Sequence, residues 1–348
     1  MAFLTFFAGS YTQMLIPEIV GKGSGIYTVQ LNNETGELSI LHTLKTVNPS
    51  YLVLSKDRKF LYCNTEVDAA FNPKVQAYKI NESFSLEFLN EQPIPGGFPC
   101  HIEKFKNHIL VACYQTGNII QYTLNELGKL QPYTKNHQHF GSSINKDRQE
   151  SPHAHQVAVH PNKSQVFVCD LGIDIIKAYH FKKEVFLADE QNDIAITKGG
   201  GPRHIVFNKN GKYAYAINEL SGAISVLKNS ENRFEEINTY NTLPSTYKGL
   251  PSASAIRIHP NQKFLYAANR TLDAITIFKI NEDKLEVTDY HYTNGKELRE
   301  FNITPNGKWL IACHQNSDDT IVYQIKSDGK LTERYRTQDL KTPVCVVF

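Results

Sequence analysis

Three stretches of this chain set ionisable side chains just ahead of an apolar strand. "GGPRHIVF" (Gly200–Phe207) places Arg203 and His204 before Ile205. "SPHAHQV" places His153 and His155 before Val157, and "LREFNI" places Arg299 before Phe301. Glu219 follows Arg203 by 16 residues, and Arg270 follows Ser254 by the same interval. Guanidinium donors can bind anions or face the negative charge that develops on a carbonyl oxygen. A carboxylate or an imidazole can carry a proton near neutral pH when its neighbours tune it. Such a set could bind an anionic substrate and move a proton, provided that the fold brings it together.

The strands around these residues form an internal repeat. "SAIRIHPNQKFLYAANR" from Ser254 recurs as "REFNITPNGKWLIACHQ" from Arg299 and as "HQVAVHPNKSQVFVCDL" from His155. Looser copies are "SYLVLSKDRKFLYCNTE" from Ser50 and "CHIEKFKNHILVACYQ" from Cys100. Each copy is a β-branched or aromatic strand, a Gly, Asn or Pro turn and a second strand, which is the pattern of a hairpin. A third alternating run such as "AISVLKN" or "TIVYQIK" follows, then a turn such as "SDGK" and a fourth strand. Helical periodicity is nearly absent. A four-stranded unit recurring roughly every 45–55 residues predicts a β-propeller.

Units start at Ser50, Cys100, His155, Arg203, Ser254, Arg299 and Val344, so seven blades are predicted in one domain, 1–348. The last unit supplies one strand, "TPVCVVF", before the chain ends. The N-terminal runs "FLTFFAGSYT", "GIYTVQL" and "LSILHTL" predict the other three, so both chain ends should build the closing blade and leave no exposed sheet edge. Thr134–Glu150 is too long for an ordinary connection and is expected to form a surface or mouth loop.

In a propeller the first strand of each blade lines the central channel, and the second returns to the same face. The start of one and the end of the other therefore meet at the channel mouth. This pairs Arg203 with Glu219, Arg299 with Gln315, Ser254 with Arg270, Ser50 with Glu66 and His155 with Leu171. The expected mouth ring is His155, Arg203, Glu219, Arg270, Arg299, Gln315, Glu66 and Tyr11, with His153 beside the Pro152 turn. A concave, solvent-filled site with convergent polar groups is a ligand-site candidate. By strand alternation His204 points away from Arg203 and is expected to pack between blades. His160 and His259 sit in "HPN" turns on the opposite face.

Lys plus Arg is 37 and Asp plus Glu 35, a net charge of +2 that supports neither nucleic-acid nor anionic-membrane binding. No apolar run approaches the ~20 residues of a membrane helix. The N-terminus reads as a strand with no signal peptide, which predicts a cytoplasmic location. Cys63, Cys113, Cys169 and Cys313 recur at one place in the repeat, which predicts packing thiols and no disulfide framework among the six cysteines. No spacing suggests zinc. The mouth's two carboxylates against three arginines disfavour a calcium-dependent lactonase site.

"AGSYT", "NPSYL", "SPHAHQV", "GGPRHIVF", "YAINEL", "FLYAANR" and "LREFNITPNGKWLIACHQ" resemble, in order and over nearly the whole chain, the seven-bladed lactonase family. That family holds propeller-type 6-phosphogluconolactonases and carboxymuconate-cyclising enzymes. The resemblance implies a site at the mouth with no metal or other cofactor, with functional residues at His155, Arg203, Glu219 and Arg270. It departs from the family at Ala255, where many bacterial relatives carry an acid, and at Leu298, where proline is usual. The implied reaction is hydrolysis of a sugar-phosphate δ-lactone, a small-molecule partner. Glu219 or His155 would take the proton from water, Arg203 would face the oxyanion, and Arg270 and Arg299 would hold phosphate or sugar oxygens. Carboxymuconate cyclisation and a non-catalytic protein-binding scaffold are the alternatives, and the absence of a repeated Trp-Asp signature speaks against the second.

Overall fold

The structure, a computed structural model, describes residues 2–161, 165–231 and 233–348. Seven antiparallel sheets stand around one axis, and the inner strand of each contacts the inner strands of both neighbours, so the ring is closed. Inner strands are Leu52–Leu54, Pro99–Phe105, Ala154–Val159, Pro202–Phe207, Ala253–Ile258, Leu298–Ile303 and Pro343–Val347. The third blade carries a fifth short strand, Ile194–Ala195, and no α-helix occurs among the described residues. Thr134–Gln138, expected in a loop, belongs to the outer strand Leu130–Gln138, and the remainder of that stretch forms the connection to the third blade.

The closing blade is built as the repeat predicts. Pro343–Val347 is its inner strand and pairs with Phe3–Ser10, with Phe7 opposite Val347 and Gly9 opposite Cys345. Gly25–Asn32 and Leu38–Lys45 complete it.

Alternation along each strand sends residues to the two faces of a blade, and each face packs on the next blade. One apolar cluster therefore fills each seam. Tyr266, Ile277 and Ala268 of the fifth blade meet Phe301, Leu310 and Tyr323 of the sixth, and Trp309 and Ile311 of the sixth meet Phe6, Val29 and Val346 of the closing blade. Each large side chain so buried contributes about 1.5–3 kcal/mol. All six cysteines are buried and free.

Hairpin turns on the far face are also latched from blade to blade. His160 Nε2 donates to the Gly211 carbonyl at 3.3 Å, and His259 Nε2 to the Gly307 carbonyl at 2.9 Å. Gly211 and Gly307 hold φ of 69° and 72°, and a Cβ on either would lie 2.7 Å from the imidazole, so both positions require glycine. Part of the "HPNKS" turn after His160 falls on residues 162–164, outside the described residues.

Candidate active site

Five inner strands, besides that of the closing blade, whose own pairing slips at Val344, share a feature at the mouth end. Their pairing with the second strand slips between Pro99 and His101, Ala154 and Gln156, Pro202 and His204, Ala253 and Ile256, and Leu298 and Glu300. The residues at the slips are Cys100, His155, Arg203, Ser254 with Ala255, and Arg299. A bulge re-aims the side chain it carries, and Cys100, His155, Arg203 and Arg299 thereby line cavities on the axis.

The bulge also resets alternation, which corrects one expectation. His204 does not point away from Arg203 into a seam. It is buried in the channel, accepts a hydrogen bond on Nε2 from Arg203 Nη1 at 3.2 Å, and faces the rings of His155 and His101, with centroids 5.3 and 5.9 Å away.

The first residue after the second strand takes the matching place in four blades. It is Tyr114 after His108–Cys113, Glu219 after Tyr213–Asn218, Arg270 after Phe264–Asn269 and Tyr11 after Phe3–Ser10. Tyr114 was hidden from the 16-residue rule because its hairpin turns tightly, pairing Phe105 with His108.

At the mouth Glu66, Phe98, Cys100, Tyr114, Arg148, His155, Glu219, Ser252, Arg270 and Arg299 line a cavity of about 440 Å³. A small hairpin, Met14–Ile16 with Ile19–Val20, adds Leu15, Ile16 and Ile19 as an apolar wall. The hairpin's root is held by Asn48, whose Oδ1 accepts from the backbone N–H of Thr12 and of Gln13 at 2.8 and 3.1 Å.

Glu219 is the hub. Its Oε2 accepts from Arg203 Nε at 3.1 Å and lies 2.9 Å from Arg270 Nη2, while Oε1 accepts from Arg148 Nη2 at 2.7 Å. Burial alone would raise its pKa, but the guanidiniums of Arg270, Arg203 and Arg148 outweigh burial and hold it far below the usual carboxylate range. A carboxylate so matched is a poor proton acceptor. It fixes three arginines in place.

His155 differs. Burial first, and then the charge of Arg203, hold its pKa well below the ordinary histidine value, so the ring is neutral at pH 7. Its Nδ1 is buried without a hydrogen-bond partner among the described residues. Arg203 spends Nε on Glu219 and Nη1 on His204 and on the Ser254 carbonyl, at 2.6 Å, and keeps Nη2 free of bonds to the described residues. Burial and then Arg270 pull its pKa down to about 10, which leaves it charged at neutrality.

Arg299 donates through Nη2 to Tyr11 Oη at 2.7 Å, and Tyr11 donates to Glu66 Oε2 at 3.0 Å. Tyr11 thus orients an arginine from beneath and does not line the cavity. His153 stacks on Tyr114 with ring centroids 4.4 Å apart and bonds the Tyr114 carbonyl through Nδ1 at 2.9 Å, so it supports the wall. Gln315 is buried outside the cavity, its Nε2 donating to Asn316 Oδ1 at 2.9 Å.

The mouth is drier at its floor than the solvent-filled ring expected from the repeat. Arg203, Glu219 and His155 are only 3%, 5% and 6% exposed. Arg148, on the connection after the second blade, escaped sequence reasoning because no repeat register places it. It brings a fourth guanidinium to the two carboxylates Glu66 and Glu219. The other carboxylate near the axis, Glu300, is matched by Arg257 at 2.9 Å. No cluster of three or more potential metal ligands occurs among the described residues.

Comparison with known proteins agrees with the fold. The family model for "Lactonase, 7-bladed beta-propeller" matches residues 5–348. A 6-phosphogluconolactonase of Bacillus subtilis is 31% identical, over 98% of this chain and 97% of its own. A solved Bacteroides fragilis protein, provisionally named for the same activity, is 30% identical with a TM-score of 0.92, over 99% of this chain and 98% of its own. The Pseudomonas aeruginosa periplasmic gluconolactonase also superposes with a TM-score of 0.92, over 99% of this chain and 98% of its own, and at 23% identity that likeness speaks to the fold alone.

Proposed function

The chain belongs to the seven-bladed β-propeller lactonases and is an enzyme of that class, and from that premise we propose that it hydrolyses 6-phospho-D-glucono-1,5-lactone to 6-phosphogluconate, a step of the pentose phosphate pathway. The observation that carries the choice of substrate is the charge of the mouth. Arg148, Arg270 and Arg299 line the cavity and Arg203 lies at its floor, against Glu66 and Glu219. That excess of guanidinium suits a phosphorylated lactone better than a neutral one.

Hydrolysis then divides among these residues. Arg270, Arg299 and Arg148 hold the phosphate and sugar oxygens in the wider part of the cavity. His155, neutral and with an unpartnered Nδ1, takes a proton from the attacking water. Arg203, through its spare Nη2, faces the oxygen on which negative charge develops. The ring oxygen leaves with the proton held by His155. Glu219 keeps the arginines in place and stays ionised throughout. No step needs a metal, because guanidiniums supply the positive charge.

No helix of the described residues is long and apolar enough to cross a membrane. A sugar phosphate does not cross membranes unaided, so the same reading puts the enzyme in the cytoplasm. The test is a panel assay of purified protein, with and without chelator, on phosphorylated and free gluconolactone and on carboxymuconate. Fast opening of the phosphorylated lactone, several-fold preferred over the free sugar and insensitive to chelator, is the expected result. Turnover of carboxymuconate alone would replace this reading with the cyclising one.

A further inference from the structure

Below the mouth cavity lies a second, much smaller chamber of about 10 Å³, enclosed by Ser50, Tyr51, Glu66, Cys100, His155, Arg203, His204, Arg299, Glu300 and Val344. It shares His155, Glu66, Cys100 and Arg299 with the cavity above. Its volume is at the lower bound of what one water molecule needs, and too small for anything larger.

The polar groups at its wall have defined roles. Arg203 can only donate, so His204 Nε2, which receives Nη1 at 3.2 Å, must be the acceptor nitrogen of a neutral ring. The proton of His204 therefore sits on Nδ1. That N–H is buried and has no partner among the described residues. On the neighbouring blade His155 Nδ1 is also buried and unpartnered, and the two ring centroids are 5.3 Å apart at an interplanar angle of 70°. Rings at that separation are near enough for one water to join a donor on one to an acceptor on the other, and buried polar groups in folded proteins seldom go unpaired. Charged neighbours of His204 are Arg203 and Arg257, and its titratable ones are His155 and His101, with Tyr51 and Glu300 also on the chamber wall. Burial and the two arginines keep His204 neutral, which preserves this donor.

We propose that the nucleophilic water is held in this chamber, accepting from His204 Nδ1–H and donating to His155 Nδ1, so that His204 holds the nucleophile of the reaction. This rests on the lactone-hydrolysis reading above. The lactone occupies the mouth cavity and the water attacks from below. Its oxygen bonds to the carbonyl carbon, and one proton passes to His155. The tetrahedral intermediate then breaks its bond to the ring oxygen, which takes the proton back from His155. The product acid loses its proton to solvent, and water re-enters the chamber.

A high-resolution crystal structure of the unliganded protein and the kinetics of two variants test this together. One ordered water should lie within hydrogen-bond distance of both Nδ1 atoms. His204→Asn keeps an amide donor near the Nδ1 position, whereas His204→Gln places its amide near Nε2. Both are polar and of similar bulk, so a merely structural role would be served equally by either. The expected result is kcat within about threefold of wild type for His204→Asn and a fall of about a hundredfold for His204→Gln, with KM unchanged in both, because a misplaced reactant costs on that order. A chamber without ordered water, or two variants with equal kcat, overturns the proposal. If wild type opens no lactone, the functional reading falls and takes the proposal with it; if wild type is active and His204→Gln keeps its kcat, only the proposal falls.

Discussion

Arg148 Nη2 lies 2.7 Å from Glu219 Oε1 although 71 residues separate them and Arg148 sits on a connection outside the blades. The same nitrogen donates to Tyr114 Oη at 3.1 Å. The connection after the second blade is thus fastened across the mouth, to the carboxylate that also holds Arg203 and Arg270.

Arg148→Ala should weaken substrate binding more than it slows turnover. The side chain is 43% exposed and touches the hub from the rim, so its loss leaves the floor intact. A rise in KM of about tenfold, with kcat within a few-fold, is expected for the phosphorylated lactone, the loss of roughly one charge-assisted hydrogen bond. Steady-state kinetics on phosphorylated and free lactone would show the effect as larger for the first. Equal effects on both would remove Arg148 from phosphate binding.

Glu219→Gln should cost stability as well as activity. It leaves Arg203 and Arg270 buried beside a neutral amide, and breaking a buried ion pair from one side typically costs about 3–5 kcal/mol. The pH dependence follows from the direction of the shift. The folded-state pKa of Glu219 lies far below that of the unfolded chain, so its stabilisation is complete above the ordinary glutamate range and is lost as pH falls through that range toward the folded value. Denaturant melts of wild type from pH 7 to pH 3 should show a decline that Glu219→Gln shares much less. Parallel curves would mean that the cluster is not the acid-sensitive element.

The pH–rate profile separates His155 from Glu219 as the base. His155 must be neutral to act, and its pKa is lowered, so activity should stay on a plateau through neutrality and fall only at a pH clearly below 6.5. His155→Gln should lower kcat by about 10²–10⁴ and abolish that limb. A limb unchanged in the variant would return the role to another group.

Arg299→Lys should lose more than a charge-conserving change usually does. Arg299 donates to Tyr11 while lining the cavity, and a lysine cannot hold both geometries with one ammonium. An increase in KM of about tenfold with an unaltered melting temperature is expected. Tyr11→Phe, which removes the hydroxyl between Arg299 and Glu66, should reproduce part of it.

Removing residues 343–348 should abolish soluble folded protein. Pro343–Val347 is the inner strand of the closing blade, and its loss strips Phe3–Ser10 of a partner and opens the ring to expose sheet edges. Circular dichroism and size-exclusion chromatography would report it. A truncated chain that melts cooperatively at the wild-type temperature would disprove closure by these strands.

The architecture was legible in the sequence because it repeats. Strand alternation, turn residues and the recurrence of "PNGK"-like hairpins are local, and seven copies of one pattern leave little choice of fold. Strand order also follows from recurrence, which is why Val344 and Phe3–Ser10 could be assigned to one blade before any coordinates. Arg203, Glu219, His155, Arg270 and Arg299 were found as a group for the same reason, since position in the repeat decides which end of the axis a residue reaches.

Tertiary structure alone decided what each of them touches. The bulge that carries Arg203 also turns His204 into the channel, and a one-residue slip in pairing leaves no trace in strand alternation. Arg148 and the Leu15–Ile19 hairpin lie on connections that the repeat does not register, so only the folded chain brings them to the mouth. Whether Glu219 or His155 accepts a proton was open in the sequence, because pKa is set by burial and by charges from four different blades and a connection. Three guanidiniums around one carboxylate, and an imidazole left without a partner, exist only once the ring has closed.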